Sequence, residues 1–516
     1  MKNVLEYLEN TAKKNKEKIA IIEEEKQCTY NELLENSKKV GSGIYKYVSQ
    51  RMPVAVLIEK GINAIYSFFG SIYAGGFYTL LNPELPETRL KKIIEITKTN
   101  VIITDNNNYE LALEITGKKA NDNFKILKIE DLLNQSIDEE KLKEIRDNAL
   151  DIDPLYANFT SGSTGEPKGV VVSHRSVIDF INIFTEKFNI GENDIIGNQA
   201  PFDFDVSVKD IYSSIKLGAT LVIVPKKLFS APAQLLDYIC ENNVTTLIWA
   251  VSALCLITTF HGLDYKVPTS VNKILFSGEI MPIKHIKQWI EHLPQAMFVN
   301  LYGPTEITCN CAYHIIDKTL PYEGQIPVGK HFDNEEILLL DENNKLINED
   351  GKTGEICVRG TALALGYYNN QEQTNKSFVQ NPLNNSYIEM IYKTGDLGYL
   401  GKDGNFYFAG RKDFQIKHMG HRIELEEIEL EIQKLEKIER VCCIYNHEKS
   451  KLYAFYIGDI DKKELREALS NKLPVFMIPN VIRKIDEFPL TKNGKIDRKQ
   501  LALNERNKKY TKGESK

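Results

Sequence analysis

Short apolar runs bounded by polar turns alternate along this chain with stretches in which apolar residues recur at helical spacing. Residues 54–58, 101–104, 220–224 and 246–249 are near-continuous runs rich in Val, Ile and Leu, the pattern of strands buried on both faces. Residues 233–241 and 283–293 carry the amphipathic pattern of helices, and 62–81 reads as a buried helix followed by a strand. This alternation predicts an α/β fold in which a large N-terminal domain is built of layered, mostly parallel sheets. After about residue 330 the strands shorten (336–340, 354–358, 406–408), and Asp, Asn and Gly turns separate them, which predicts a small β-rich subdomain. From about Asp413 the pattern becomes helix (424–435), strand (441–445), strand (452–457), helix (462–472), a small α+β domain. The expected boundaries are 1–410 for the large domain (330–410 its β-rich part), 411–503 for the C-terminal domain, and 504–516 for a polar, flexible tail.

At 516 residues the chain is too long for one core. Its net charge of −6 argues against nucleic acid or an anionic membrane as partner. No apolar run reaches the roughly 18 residues of a membrane helix, and the first residues mix acids into their apolar stretch, unlike a signal peptide. Eight scattered cysteines without a C-x-x-C suggest buried, reduced thiols and a cytoplasmic location. Cys309 and Cys311 have no His or Cys partners at ligand spacing and do not read as a metal site.

The run Asn158-Phe-Thr-Ser-Gly-Ser-Thr-Gly-Glu-Pro-Lys-Gly169 carries the loudest chemistry. Gly162, Gly165 and Gly169 let the backbone bring N–H groups close to an anion. Thr160, Ser161, Ser163 and Thr164 add hydroxyl donors and Lys168 a positive charge, a set suited to a polyphosphate. It is not the common P-loop: with Gly162 as first glycine, Pro167 replaces the second and Gly169 the Ser/Thr.

Five further motifs follow in order: Phe202-Asp-Phe-Asp-Val-Ser-Val208; Asn300-Leu-Tyr-Gly-Pro-Thr-Glu306; Tyr392-Lys-Thr-Gly-Asp396; Gly410-Arg-Lys-Asp-Phe-Gln-Ile-Lys417 with Gly420-His-Arg-Ile-Glu424; and Asn493-Gly-Lys-Ile-Asp-Arg498. Together with the glycine loop, this set resembles the adenylate-forming superfamily. Ala74-Gly-Gly-Phe-Tyr-Thr-Leu-Leu-Asn-Pro83 is similar to its amino-acid-activating branch, which includes nonribosomal-peptide adenylation domains. Two stretches, Phe202 to Tyr212 and Phe276-Ser-Gly-Glu279, resemble D-alanine–carrier-protein ligases. No carrier or condensation segment follows, so a freestanding, monomeric ligase is expected.

The resemblance implies an ATP-dependent reaction in two halves: a carboxylate displaces pyrophosphate to give an acyl-adenylate, then the phosphopantetheine thiol of a carrier protein takes the acyl group. It implies that Thr160, Ser161, Gly162, Ser163, Thr164, Gly165 and Lys168 hold phosphates, with Gly278, Glu279, Gly303 and Thr305 also at the nucleotide. Tyr302 would stack on adenine, Asn300 reach its polar edge, and Glu306 help coordinate Mg²⁺. Asp396 would accept from the ribose hydroxyls, with Arg411 beside it. Lys495 would bridge the substrate carboxylate and α-phosphate as the catalytic cation, and Asp413 would be the hinge of a mobile C-terminal domain. Asp205 would bind a substrate ammonium, its plainer alternative being a helix N-cap. The side-chain pocket would comprise Val206, Lys209, Leu275, Ser277, Leu301, Cys309 and Asn310. Lys209 there favours an acidic or polar substrate side chain, unless its long stem carries the charge out to solvent. D-alanine ligases carry a cysteine at the place of Ser277 and small residues near Leu301, so the amino acid stays open. Another amino acid in peptide synthesis, and an acyl- or aryl-CoA ligase, are the alternatives.

Overall fold

The computed structural model describes residues 1–117, 124–162, 165–322, 324–447, 449–491 and 496–507, and in it the apolar runs become the inner strands of two large sheets. One sheet has nine strands. From one edge they are Lys330–His331, Ala312–Ile315, Met297–Tyr302, Lys273–Ser277, Thr246–Ala250, Ile195–Asn198, Thr220–Ile223, Ile19–Glu23 and Lys26–Thr29. The six neighbours from Met297–Tyr302 to Ile19–Glu23 are parallel, as expected of strands with apolar residues on both faces. The other sheet has seven strands centred on Phe77–Leu80 and Pro53–Leu57. A third sheet, of five strands, holds Glu335–Leu340, Gly354–Gly360, Phe378–Gln380, Met390–Leu400 and Phe406–Arg411.

The chain divides into two compact units. One comprises Met1–Pro83, Ile94–Phe159 and Gly169–Lys412; the other comprises Glu84–Ile93, Thr160–Lys168 and Asp413–Lys516. In the first unit one hydrophobic core draws on all three sheets, through Ile21, Val54, Tyr156, Leu275, Ile337 and Val358. Helices Ile62–Tyr73 and Val206–Leu217 are buried along most of their length. They meet where the Phe69 and Tyr212 rings pack edge to face at 6.0 Å. Burying such aromatic pairs adds roughly 0.5–1.5 kcal/mol beyond their area. A second core, with Leu235, Trp249, Phe276, Trp289 and Phe298, joins helices Pro232–Glu241, Val251–Thr259 and Ile283–His292 to the nine-stranded sheet.

In the second unit, helix Leu425–Gln433 and helix Lys462–Ser470 share a core with strands Ile438–Asn446 and Lys451–Gly458 through Ile428, Cys443, Tyr456 and Leu465. The first of these strands is longer than its apolar centre implies, because antiparallel pairing with Lys451–Gly458 carries it out to Asn446. The tail needs a correction: helix Arg498–Asn507 takes in residues 504–507. Leu501 is buried there, and Arg483 donates to Glu505 at 3.1 Å. Residues 508–516 lie outside the described residues. Among the described residues no helix is long and apolar enough to cross a membrane.

Candidate active site

Parallel strands expose the ends of their backbones at one edge, and side chains just past their carboxyl ends face a common crevice. In the first unit, Ser277 closes strand Lys273–Ser277, and Asn300, Leu301 and Tyr302 close the neighbouring Met297–Tyr302, with Phe276 paired to Asn300. Gly278 turns the chain away with φ 99°, a left-handed conformation that suits glycine, and Glu279 follows, half-buried. Asn300 donates its amide to the Pro327 carbonyl at 2.7 Å, which ties the strand end to the segment before the five-stranded sheet.

Asp396 and Arg411 lie directly opposite one another on antiparallel strands Met390–Leu400 and Phe406–Arg411. Arg411 forms an ion pair with Asp396 Oδ1. The Tyr302 hydroxyl donates to Asp396 Oδ2 at 2.5 Å, and the Thr394 hydroxyl accepts from the Asp396 backbone N–H at 3.0 Å. Burial pushes the Tyr302 phenol well above its ordinary value, and the Asp396 charge adds to that, so it stays a donor. Only 8% of Tyr302 is exposed. A buried carboxylate needs partners of this kind, since each charge-assisted bond offsets desolvation.

The residues expected to meet the substrate converge from two elements. Asp205 stands at the N-cap position of helix Val206–Leu217 with helical backbone angles and makes no capping bond with its side chain, so the plainer reading of this carboxylate does not hold. Lys209, one helical turn on, is fully buried and does not reach solvent. Its ammonium donates to Asn310 Oδ1 at 2.5 Å. Burial lowers its pKa, opposed by Cys309, Asp205 and Asp210. The Cys309 thiol donates to the Asp205 carbonyl at 3.1 Å, and burial raises its pKa well above the ordinary value.

Asn310 and Cys309 reach this helix because the chain after Tyr302 doubles back. A Cβ on Gly303 would lie 2.4 Å from the Asn310 Cα, so this close approach requires glycine. Cys311 N–H donates to the Tyr302 carbonyl at 2.8 Å, closing the loop. Thr308 and Cys309 sit at φ 42° and 78°, a conformation side-chain-bearing residues rarely adopt. The Thr308 hydroxyl holds it by donating to the Ala362 carbonyl at 2.6 Å. Ser277, Leu275 and Leu301 are buried, and Val206 and Thr305 half-buried.

Glu306, in the short turn Thr305–Ile307, is fully buried and accepts from the Tyr367 hydroxyl at 2.7 Å. Among the described residues no group of three or more His, Cys, Asp or Glu side chains could hold a metal. A lone carboxylate suits Mg²⁺, which is usually held by one or two carboxylates together with substrate phosphates and water.

In the second unit, Thr160 ends strand Pro154–Thr160, and its buried hydroxyl has no hydrogen-bond partner among the described residues. Ser161 donates to the Arg422 carbonyl at 2.7 Å. The Gly165 N–H donates to the Gly162 carbonyl at 2.9 Å, and Gly165 has φ 78°. A Cβ on Gly162 would meet the Glu166 carbonyl oxygen at 2.2 Å. Lys168 is buried at the start of strand Lys168–Ser173. Asp413 is the first residue of the C-terminal segment of this unit, and its carboxylate accepts from the Gln415 N–H at 3.2 Å. Ser163, Thr164 and Lys495 lie outside the described residues.

Sequence reasoning missed three participants: Thr308, Tyr367 and Asp210. Buried Asp210 accepts from Asn198 at 2.6 Å. It follows Lys209 on a helix whose polar residues point inward, and that inward polarity was the only signal the sequence offered.

The AMP-binding enzyme family matches residues 8–368. Zwittermicin A synthase ZmaJ of Bacillus cereus is 34% identical over 503 residues, covering 94% of this chain and 92% of that protein. Bacitracin synthase 1 of Bacillus licheniformis is 32% identical over 511 residues, which is 97% of this chain but only 9% of that much longer protein. In fold, the chain superposes with a TM-score of 0.84 on the Vibrio cholerae adenylation domain AlmE, solved with glycyl-adenosine-5'-phosphate, at 22% identity over 97% of this chain and 98% of that one. The chain therefore belongs to the AMP-binding enzyme family.

Proposed function

We propose that this chain is an ATP-dependent, AMP-forming ligase that activates an amino acid as its aminoacyl-adenylate and passes it to the phosphopantetheine thiol of a carrier protein. The observation that carries the amino-acid reading is Asp205: a half-buried carboxylate at the head of a helix, not spent on capping it, beside the loop that bears Cys309 and Asn310. A carboxylate there matches a substrate ammonium and would be costly against the apolar tail of a fatty or aryl acid.

On this reading the amino acid's carboxylate oxygen attacks the α-phosphorus of ATP, the new C–O–P bond forms, and the bond to pyrophosphate breaks. Charge neutralisation and in-line positioning supply most of the rate. Asp396 accepts from the ribose hydroxyls, Arg411 orients that carboxylate through their ion pair, and Tyr302 and Asn300 bind the base. Gly278, Glu279, Gly303 and Thr305 line the nucleotide, and Thr160 to Lys168 take the phosphates. Mg²⁺, held by Glu306, neutralises phosphate charge when bound. Lys495 supplies the cation at the reacting centre, and Asp413 is the hinge for the change to thiol transfer. Both ATP and reduced thiols are plentiful in the cytoplasm, where we place the reaction. A carrier-protein partner is supported by solved neighbours described as adenylation and PCP proteins, and D-alanine remains one substrate among several.

Amino-acid-dependent ATP–pyrophosphate exchange across all L- and D-amino acids tests the reading. We expect exchange with a narrow subset, abolished by Asp205→Asn. Exchange with no amino acid, or thioester formation only on free coenzyme A with a non-amino acid, would overturn it.

A further inference from the structure

Strand Glu335–Leu340 opens on an acid in surroundings that disfavour its charge. Only 5% of Glu335 is exposed, because the chain closes tightly there: Glu335 pairs with Gly360, and a Cβ on Gly360 would lie 2.4 Å from the Asn334 carbonyl oxygen. A buried carboxylate needs a cation or several donors. Glu335 has the Ala362 N–H, and its Oε2 has no hydrogen-bond partner among the described residues. The charge facing it is a second acid, Asp179 of helix His174–Lys187. The positive side chains of these elements are spent elsewhere: Arg175 on Asp151, Lys187 on Asp333, and Arg359 on Glu336 and Glu389. Tyr7, the other titratable group beside Asp179, is kept neutral by burial and by that charge, and its hydroxyl donates to Asn182 Oδ1 at 3.0 Å.

Two carboxyl groups that share a site without a cation do not both ionise; one keeps its proton. Burial, and then the Asp179 charge, push the Glu335 carboxyl well above its ordinary value, opposed by the Ala362 N–H. Asp179 is half-buried and accepts on both oxygens, from the Asn334 amide at 2.6 Å and from the Thr361 hydroxyl, which marks it as the ionised member. Each carboxylate oxygen has a second acceptor site, so Asp179 has room for one donor more. Asn334 and Glu335 on one chain segment, and Thr361 and Ala362 on the other, thus meet at a single acid pair.

The second of these segments leads to the candidate active site. The Ala362 carbonyl accepts from the Thr308 hydroxyl at 2.6 Å, and the Ala364 N–H donates to the Glu306 carbonyl at 2.9 Å. The Leu363 carbonyl accepts from Ser176, on the same helix as Asp179, at 3.1 Å. Two like charges without a counter-ion would be relieved by a shift of residues 361–364, and those residues hold the turn that bears Glu306 and Thr308. Resting on the reading of Glu306 above as the Mg²⁺ residue, we propose that Glu335 is a positioning residue: as a neutral acid donating to Asp179 it seats residues 361–364 and through them the Glu306–Thr308 turn, and its ionisation at alkaline pH loosens both.

The test is amide hydrogen exchange of the full chain at pH 7 and pH 9, read by mass spectrometry on peptides that contain residues 360–365. We expect exchange there to quicken on the order of 10-fold beyond the intrinsic rise with pH, the size of one lost hydrogen bond to a charged group. Glu335→Gln keeps a neutral donor at the same place and should show no such excess. Asp179→Asn removes the opposing charge, carries the same expectation, and serves where the first variant does not fold. The KM for Mg·ATP in pyrophosphate exchange, measured with the amino acid the parent uses best, should rise over the same interval in the parent and stay level in Glu335→Gln, the two matching at pH 7. No excess in the parent, or an equal excess in folded Glu335→Gln, overturns the proposal. A loosened segment with an unmoved KM overturns its link to Glu306. Pyrophosphate exchange with no amino acid overturns the function proposed above and leaves hydrogen exchange to decide this inference.

Discussion

Tyr302 donates its one hydroxyl proton to a carboxylate that a guanidinium already faces. Tyr302→Phe removes that bond and leaves buried Asp396 one donor short. Loss of a hydrogen bond to a charged group should cost about 1.5–3 kcal/mol of stability, measured as a lower urea midpoint at constant m-value. A midpoint shift near zero would show that the hydroxyl is dispensable to Asp396. Asp210 gives a pH signature. Burial lifts its pKa from 3.8 to about 7, opposed by the Asn198 bond and by the charges of Lys209 and Lys60. Across that window the folded chain keeps a proton that the unfolded chain has released, so this residue's contribution to stability falls as pH rises from about 4 to 7. Asp210→Asn removes the dependence, and its Tm relative to the parent should climb between pH 5 and pH 8. A flat difference would mean that Asp210 is ionised in the folded protein across that range. At this scale the sequence displayed residue types and hid partners. Asp396 and Arg411 stand out in their motifs, but that Tyr302 joins them, or that Lys209 turns inward to Asn310, depends on contacts spanning about a hundred residues of chain.

The loop from Gly303 to Cys311 is the element on which the proposed substrate site depends. Gly303→Ala would drive a methyl into the Asn310 backbone. Because the obstacle is main chain, the loop has to shift. We expect a loss of roughly 1–3 kcal/mol, typical of overpacking, together with a larger fall in kcat/KM for the amino acid than for ATP. Equal falls for both substrates would show that the loop does not bear on the pocket selectively. The surrounding elements were readable from their pattern: buried strands such as Thr220–Ile223 and helices such as Pro232–Glu241 fall within a residue or two of expectation. The left-handed backbone at Thr308 and Cys309 was not readable, since neither residue type signals it. The conformation is imposed by the Ala362 and Asp205 carbonyls, which lie far away in sequence.

Across the whole molecule, the second unit is assembled from three segments distant in sequence. Within it Arg89 of helix Glu87–Thr97 pairs with Glu427 of helix Leu425–Gln433 at 2.6 Å, with side chains 10% and 3% exposed. Arg89→Met strands a buried carboxylate and should cost about 3–5 kcal/mol, whereas Arg89→Met with Glu427→Leu should recover most of it. Denaturation of Arg89→Met, Glu427→Leu and the double variant decides this, and additive losses would refute the coupling. The layered α/β class was legible because strand and helix patterns alternate for some three hundred residues. The inclusion of Glu84–Ile93 and Thr160–Lys168 in the second unit was not, because local periodicity carries no record of which segments meet. The residues proposed to bind nucleotide and substrate also divide unevenly over the first unit. Asp396 and Arg411 belong to long paired strands, while Asp205, Lys209, Cys309 and Asn310 sit on one helix start and one doubled-back loop. On the proposed reading, substrate choice rests on two short passages of sequence. Transplanting residues 202–210 together with 303–311 into a related ligase should carry this enzyme's preference with it while the recipient keeps its own nucleotide site. The same pair of passages is where a lineage can change its product without rebuilding its engine.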